Sequence, residues 1–179
     1  MNQDKVIIAA AMTGAIHTPT MSPHLPLTPQ QIARDAIESA KEGAAEAHIH
    51  ARDPKNGKPS SDLALFGEIL EEIRRESDVI VCVTTGGGKD MSIEQRFSVV
   101  SQLHPELASL NMGSINFGMF TMAWKYQSWK HAWEESFLES TMDFIFRNTF
   151  GDIEKALLLM RDCGTKPELE IYDVGHLYN

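Results

Sequence analysis

Short apolar runs alternate with amphipathic stretches along the whole chain of 179 residues. The run "KVIIAAAMTG" (5–14) predicts a buried strand, and residues 26–44 predict a helix with Thr28 as its N-cap and Gln31 completing a capping box. The alternation continues, with strands predicted at 44–52, 78–88, 106–118 and 166–176 and helices at 62–77, 92–105, 119–142 and 152–163. Strict alternation of strands and helices favours right-handed βαβ crossovers and therefore a parallel sheet.

Polar residues recur on one face of the predicted strands. Side chains two positions apart on a strand point the same way. A strand buried on both faces of a parallel sheet would be almost continuously apolar, whereas polar groups gathered at the C-terminal ends of several strands are typical of a TIM (β/α)8 barrel. The residues that share a face in this way are Glu46, His48 and His50, then Cys82 and Thr84, Ser109 and Asn111, and Glu168 and Glu170.

The predicted fold is therefore α/β, a TIM barrel, with a doubly wound sheet as the second interpretation. The length fits one domain, so we predict a single domain over residues 1–179 that supplies about the first five βα units of the barrel. Because five strands do not close an eight-stranded barrel, we expect the chain to be part of a longer protein or to be completed by another chain.

Composition narrows the functional classes. The formal net charge of -9 argues against nucleic-acid binding, which requires a clustered basic surface. No run approaches the roughly 18 apolar residues of a membrane span, and the N-terminal segment lacks the pattern of a signal peptide. The two cysteines, Cys82 and Cys163, form no disulfide framework and suit a reducing compartment. We therefore expect a cytoplasmic protein.

His48 and His50 are the most specific chemical signal in the sequence. Because they lie two residues apart on a strand, their imidazoles can chelate one ion. Imidazole suits Zn²⁺, at about 2.0–2.1 Å, but a catalytic zinc site needs about three protein ligands and one open position. The alternative is a polar strand end whose histidines bind backbone carbonyls.

Other candidates have two interpretations each. Arg52 could bind a substrate carboxylate or simply pair with Asp53. Thr84 and the glycine run after it could hold an anion or form an ordinary turn. Cys82 is better explained as a small buried hydrophobic residue than as a nucleophile.

Five segments, "AAAMTGA", "HIHARDPKNGKPS", "VTTGGG", "LNMGSINFG" and "PELEIYDVGH", resemble in order and spacing the β-keto acid cleavage enzymes, of which 3-keto-5-aminohexanoate cleavage enzyme is the best-known type. The resemblance implies a TIM barrel with Zn²⁺ held by His48 and His50. It also implies a homotetramer that reacts a β-keto acid with acetyl-CoA to give acetoacetate and a new acyl-CoA.

The resemblance also implies roles for individual residues. It places the Thr84 hydroxyl beside the substrate, and we take Thr84 as catalytic. From the residues themselves we also expect Arg52 to contact the substrate. The resemblance assigns the acid of the P-E-x-E strand to Glu170 or Glu168, which strand parity cannot separate, and we take Glu170 as catalytic. The remaining substrate-binding groups it implies are the backbone near Gly87 and the side chains of Ser109 and Asn111.

Two departures from the family pattern affect the expected activity. The family takes its third zinc ligand from a later R-V-G-L-E-D motif that these 179 residues do not contain. Ile16 stands where members that act on amino-substituted keto acids have a glutamate, so a neutral or apolar substrate side chain is expected. The alternatives are a zinc-dependent hydrolase of the amidohydrolase type and an inactive partial barrel with a structural role.

Overall fold

A computed structural model of the chain describes residues 5–87 and 91–179. Its main sheet is parallel, with its strands side by side in chain order. The strands are β1 (Ala9–Ala11), β2 (Glu46–Ile49), β3 (Ile80–Val83), β4 (Leu107–Asn111) and β5 (Lys166–Glu170). A doubly wound sheet reverses its strand order at a switch point. The described strands do not, so the second interpretation loses its support.

Helices connect the strands and cover one face of the sheet. Two short antiparallel pairs accompany them, Ala51–Arg52 with Pro59–Ser60 and Ile115–Asn116 with Ile145–Phe146. The helices are α1 (Pro29–Lys41), α2 (Leu63–Glu76), α3 (Ile93–Arg96), α4 (Ser98–Leu103), α5 (Trp133–Ser140) and α6 (Phe150–Cys163), with 3₁₀ turns at Phe120–Lys125, Thr141–Asp143 and Val174–Tyr178.

The predicted capping of α1 is confirmed. The Thr28 hydroxyl accepts the N–H of Gln31 at 3.2 Å, and the Gln31 side chain accepts the N–H of Thr28 at 3.1 Å. These two bonds satisfy backbone donors that the first turn of a helix leaves unpaired.

Several element boundaries differ from the sequence prediction. The predicted helix 92–105 divides into α3 and α4 at Phe97, whose φ of -91° and ψ of 6° lie outside the α-helical range. Within 119–142 the helical residues are the 3₁₀ turn 120–125, α5 and the first two residues of the 3₁₀ turn 141–143. The predicted strand 5–14 is reduced to β1, and the one over 166–176 ends at Glu170, before a 3₁₀ turn. Gly88, the predicted end of strand 78–88, lies outside the described residues.

The alternation of apolar and polar residues is confirmed on the three inner strands β2, β3 and β4. One parity packs under the helices in the hydrophobic core, where Ile49, Val83 and Leu110 are buried with Ile32 of α1 and Ile69 of α2. The opposite parity carries the polar side chains. The helices therefore cover one face of the sheet and leave the polar face for a site.

The sheet curves so that its polar face is concave. His48 on β2 and Glu168 on β5 are separated by β3 and β4, three strand spacings or about 14 Å in a flat sheet. Their side chains nevertheless meet, with His48 Nδ1 2.9 Å from Glu168 Oε2. Among the described strands β1 and β5 remain the open edges. Leu169 on β5 and Ile7, two residues before β1, are exposed apolar side chains there. None of the described helices has the length and apolar character needed to cross a bilayer.

Candidate active site

Four side chains from three strands meet on the concave face. Glu46 and His48 come from β2, Cys82 from β3 and Glu168 from β5, and one potential ligand atom of each lies within 4.8 Å of all the others. Glu168 Oε2 accepts from His48 Nδ1 at 2.9 Å and from the Cys82 thiol at 3.2 Å. We call these four residues the Glu46 cluster.

The two carboxyls of the Glu46 cluster share a proton. Burial and the neighbouring carboxylate of Glu168 raise the pKa of Glu46 to about 7. Burial would also raise the pKa of Glu168, but hydrogen bonds from Cys82 and Glu46 and the adjacent His48 outweigh burial and lower it. Glu168 therefore carries the negative charge, and Glu46 holds the proton below about pH 7.

Cys82 is fully buried, as the sequence prediction required, but it belongs to a polar cluster. Burial and the negative charge of Glu168 raise the pKa of its thiol well above the ordinary value. Nucleophilic cysteines work as thiolates. A thiol kept protonated in this way does not suit that role.

His50 lies beside His48 but outside the Glu46 cluster. The two imidazole centroids are 5.1 Å apart, with 26° between the ring planes. Burial, together with His48 and Arg52, lowers the pKa of His50 to about 3, so its imidazole is neutral under physiological conditions. The structure thus brings the predicted ligand pair together and gives only His48 a carboxylate partner in the Glu46 cluster.

Arg52 connects two loops at the edge of the site. Its guanidinium is almost fully buried and donates to the carbonyls of Gly57 at 2.7 Å and Gly14 at 2.8 Å. Asp53, the alternative partner, instead accepts the N–H of Lys55 at 2.8 Å. Binding of a substrate carboxylate by Arg52 stays a prediction.

The predicted substrate-binding residues form two groups. The Ser109 hydroxyl accepts the N–H of Thr85 at 3.1 Å, so β4 is joined to the turn that carries Thr84. Asn111 donates from its side chain to Glu170 Oε2 at 2.8 Å, and the Tyr172 hydroxyl donates to the same oxygen at 3.0 Å. Glu168 and Glu170, which parity could not separate, therefore have different partners.

Gly87 is packed against a buried arginine that sequence reasoning missed. A Cβ added at Gly87 would lie 2.4 Å from Arg96 Cγ. The guanidinium of Arg96 donates to the carbonyls of Thr85 at 2.9 Å and Arg147 at 2.7 Å, and to Asn148 Oδ1 at 2.9 Å. A basic residue on the apolar stripe of the predicted helix 92–105 was the signal that could have identified it.

Comparison with known proteins identifies the family. A sequence model described as "beta-keto acid cleavage enzyme" matches residues 5–179. The chain belongs to the beta-keto acid cleavage enzyme family. The resemblance seen in the five sequence motifs is thereby confirmed.

Curated relatives share this family's sequence pattern over most of the chain. The 3,5-dioxohexanoate:acetyl-CoA acetone transferase of Paraburkholderia graminis is 50% identical over 98% of this chain and 56% of that protein. The 3-dehydrocarnitine:acetyl-CoA trimethylamine transferase of Rhizobium meliloti is 33% identical over 99% of this chain and 58% of that protein. The 3-keto-5-aminohexanoate cleavage enzyme of Fusobacterium nucleatum is 34% identical over 96% of this chain and 54% of that protein. The chain spans about half the length of these relatives.

Solved structures support the fold. The apo structure of ObcA matches with a TM-score of 0.66 and 20% sequence identity over 88% of this chain and 32% of that chain. The complex of ObcA with oxaloacetate gives a TM-score of 0.67 at 21% identity, again over 88% of this chain and over 33% of that one. At such identity the similarity concerns the fold alone.

Two members of the Glu46 cluster were not assigned to the site from the sequence. Glu46 was placed on the same strand face as His48 but given no role, and Cys82 was taken as a hydrophobic residue. Strand register supplies the missing information, because His48 pairs directly with Cys82 across β2 and β3. The family motifs did not point to either residue, since both lie outside the H-x-H and T-T-G-G positions.

Proposed function

We propose that this chain carries the zinc and keto-acid site of a β-keto acid cleavage enzyme. The reaction condenses a β-keto acid with acetyl-CoA. The bond between C2 and C3 of the keto acid breaks, the acetyl group joins the released carboxymethyl fragment as acetoacetate, and the remaining acyl group forms a thioester with CoA. The observation that carries the proposal is the convergence of His48, Glu168, Asn111 and Glu170 on one concave face.

The complete fold that this function requires is a TIM barrel. Sequential parallel strands and a curved sheet with a polar concave face support it, because both are features of barrels. The relatives are almost twice as long as the chain, which leaves room for further βα units. A homotetramer in the cytoplasm is the expectation from the resemblance and stays a prediction.

The residues present fit a zinc ion. His48 and His50 would hold it, and the neutral state of His50 suits ligation. Glu168 accepts from His48 Nδ1, which leaves Nε2 of His48 for the ion, as in the carboxylate–histidine pairs of other zinc sites. Bound zinc would supply a Lewis acid for the keto-acid carbonyl.

The remaining groups bind the keto acid and handle its protons. The Ser109 hydroxyl accepts from Thr85 and so keeps its own proton for a substrate carboxylate. The Thr84 hydroxyl, which accepts the N–H of Gly86 at 3.1 Å, keeps its proton in the same way. We assign proton transfer to Glu170, since Asn111 and Tyr172 fix its carboxylate in place. Glu168 is assigned to the orientation of His48.

The substrate side chain is expected to be neutral. Ile16 offers no charge to an ammonium group. The Paraburkholderia graminis relative, at 50% identity, is named for 3,5-dioxohexanoate, whose side chain ends in a neutral ketone. We therefore propose a neutral β-keto acid of this size as substrate.

A substrate panel tests the proposed function. The protein as encoded, with any residues that follow 179, is incubated with zinc, acetyl-CoA and either 3,5-dioxohexanoate or 3-keto-5-aminohexanoate, and acetoacetate is measured. We expect turnover of the neutral acid at least about tenfold above the ammonium-bearing one, equivalent to about 1.4 kcal/mol of discrimination. The His48→Ala/His50→Ala variant should form no acetoacetate from either acid.

Other outcomes would contradict the proposal. Cleavage of the keto acid without acetyl-CoA would favour the hydrolase. Absence of turnover on both acids by a folded, zinc-loaded protein would favour the inactive partial barrel.

A further inference from the structure

The Glu46 cluster contains a second set of potential metal ligands that does not use His50. We propose that Glu46, Cys82 and Glu168 bind a divalent cation of their own, with Zn²⁺ as the best chemical match, beneath the pair His48 and His50. Two carboxylate oxygens and one thiolate sulfur form a mixed donor set that zinc accepts, at about 2.0–2.3 Å from each atom.

The spacing of the donor atoms is close to what one ion needs. Ligands on a tetrahedral zinc lie about 3.3–3.8 Å from one another, given those bond lengths. Cys82 Sγ is 3.2 Å from Glu168 Oε2, and the full cluster fits within 4.8 Å. Side-chain torsions alone can supply adjustments of this size.

An unpaired buried oxygen points to a missing ligand. Glu46 is only 7% exposed, and its Oε1 is buried without a hydrogen-bond partner in the described part of the chain. Buried polar atoms are paired in the great majority of cases, and an unpaired one calls for an explanation such as an ion. A cation between the carboxylates would pair this oxygen.

The competing occupant of the cluster is a proton. In the absence of metal one proton lies between Glu46 and Glu168 and another on the Cys82 thiol. Binding of the cation would release both, which leaves two carboxylates and a thiolate around a charge of +2.

The proposed cation leaves His48 available for the other ion. His48 Nδ1 donates to Glu168 Oε2, so the imidazole orients one ligand of the proposed cation without coordinating that cation itself. Of the two proposed ligand sets, only the one formed by Glu46, Cys82 and Glu168 contains sulfur. This difference allows the two sites to be distinguished by spectroscopy.

Cobalt binding tests the proposal. The metal-free chain is titrated with Co²⁺ alone, and the near-ultraviolet charge-transfer band of a cobalt-bound thiolate is recorded. We expect the band in the unaltered protein and its complete loss in Cys82→Ser. The matched control is Cys163→Ser, which removes the chain's only other cysteine, a half-buried residue at the end of α6, and should keep the band.

The same titration separates this proposal from the proposed function. His50→Ala should keep the thiolate band and lose acetoacetate formation. If Cys82→Ser perturbs the fold, as far-ultraviolet circular dichroism would show, Glu46→Gln provides a near-isosteric alternative. It should weaken apparent metal affinity at least about tenfold, since even partners outside the ligand shell typically cost that much.

Absence of the band in the unaltered protein, or its persistence in Cys82→Ser, would overturn the proposal. The Glu46 cluster would then hold a proton alone.

Discussion

At the scale of single residues, the polar side chains on the concave face are fixed by partners that lie far apart in sequence. Glu168 meets His48 across 120 residues, and Asn111 donates to Glu170 across 59. Strand parity could place these residues on one face, because the period of a strand is local. It could not name their partners, which depend on register and on the curvature of the sheet.

Replacement of Glu46 tests the shared proton in the metal-free protein. The pKa of Glu46 is raised in the folded state, to about 7, so the stability it contributes is present below its unfolded pKa near 4.5 and lost as the pH rises through 7. An amide cannot ionise but can still donate to Glu168. We therefore expect Glu46→Gln and the original protein to have the same free energy of unfolding at pH 4. At pH 8 the free energy of unfolding of the variant should be higher by roughly 1–3 kcal/mol. Urea unfolding at the two pH values measures this, and an equal difference at both would contradict it.

Replacement of Gly87 tests its contact with Arg96. A methyl group there would approach Arg96 Cγ to 2.4 Å, and three hydrogen bonds hold that side chain in place. We expect Gly87→Ala to lower the free energy of unfolding by about 1–3 kcal/mol, as overpacking does. The control is Gly67→Ala in α2, where nothing lies within 4 Å of the added Cβ. That change should stabilise the helix by about 0.5–1 kcal/mol. A neutral effect at Gly87 would show that Arg96 moves aside freely.

At the scale of elements, the segment from Lys130 to Glu134 ties the loops at the edge of the site together. The Glu134 carboxylate is fully buried and accepts the N–H groups of Thr20 at 2.9 Å and His131 at 2.8 Å. The Trp133 indole donates to the Asn56 carbonyl at 3.1 Å. The segment therefore contacts both the loop after β1 and the loop after β2. These contacts were not predictable from periodicity, because the segment is not a continuous helix.

Replacement of Glu134 should loosen the loop after β1. Burial would raise the pKa of Glu134, but the hydrogen bonds it accepts outweigh burial and lower it, so its contribution to stability is present above its unfolded pKa and lost as the pH falls through the folded one. We expect Glu134→Gln to lower the free energy of unfolding by about 1.5–3 kcal/mol at pH 7, because the hydrogen bonds that Glu134 accepts are made to a charged carboxylate. Amide hydrogen exchange at Thr20 should accelerate accordingly. The control is the exposed neighbour Glu135. We expect Glu135→Gln to change the free energy of unfolding by no more than about 0.5 kcal/mol. Unchanged exchange at Thr20 would contradict the role of Glu134.

At the scale of the whole molecule, the order and type of the main elements could be predicted from sequence. Strict alternation determined the parallel sheet, and the capped helix at Thr28 lies where its signals placed it. The prediction was less successful around 119–142, where the chain forms short turns held by tertiary contacts. The site was predicted as far as His48 and His50, while Glu46 and Cys82 required the register of β2 and β3.

Isotope transfer tests the central claim most directly. The protein as encoded is incubated with zinc, 3,5-dioxohexanoate and acetyl-CoA labelled with ¹³C at the acetyl carbonyl, and the products are followed by NMR. We expect the label at the keto carbon of acetoacetate, an unlabelled acyl group on CoA, and neither product with the His48→Ala/His50→Ala variant. Acetoacetate without the label, or equal rates with and without acetyl-CoA, would contradict the claim that this chain exchanges the acyl group of a β-keto acid for acetyl.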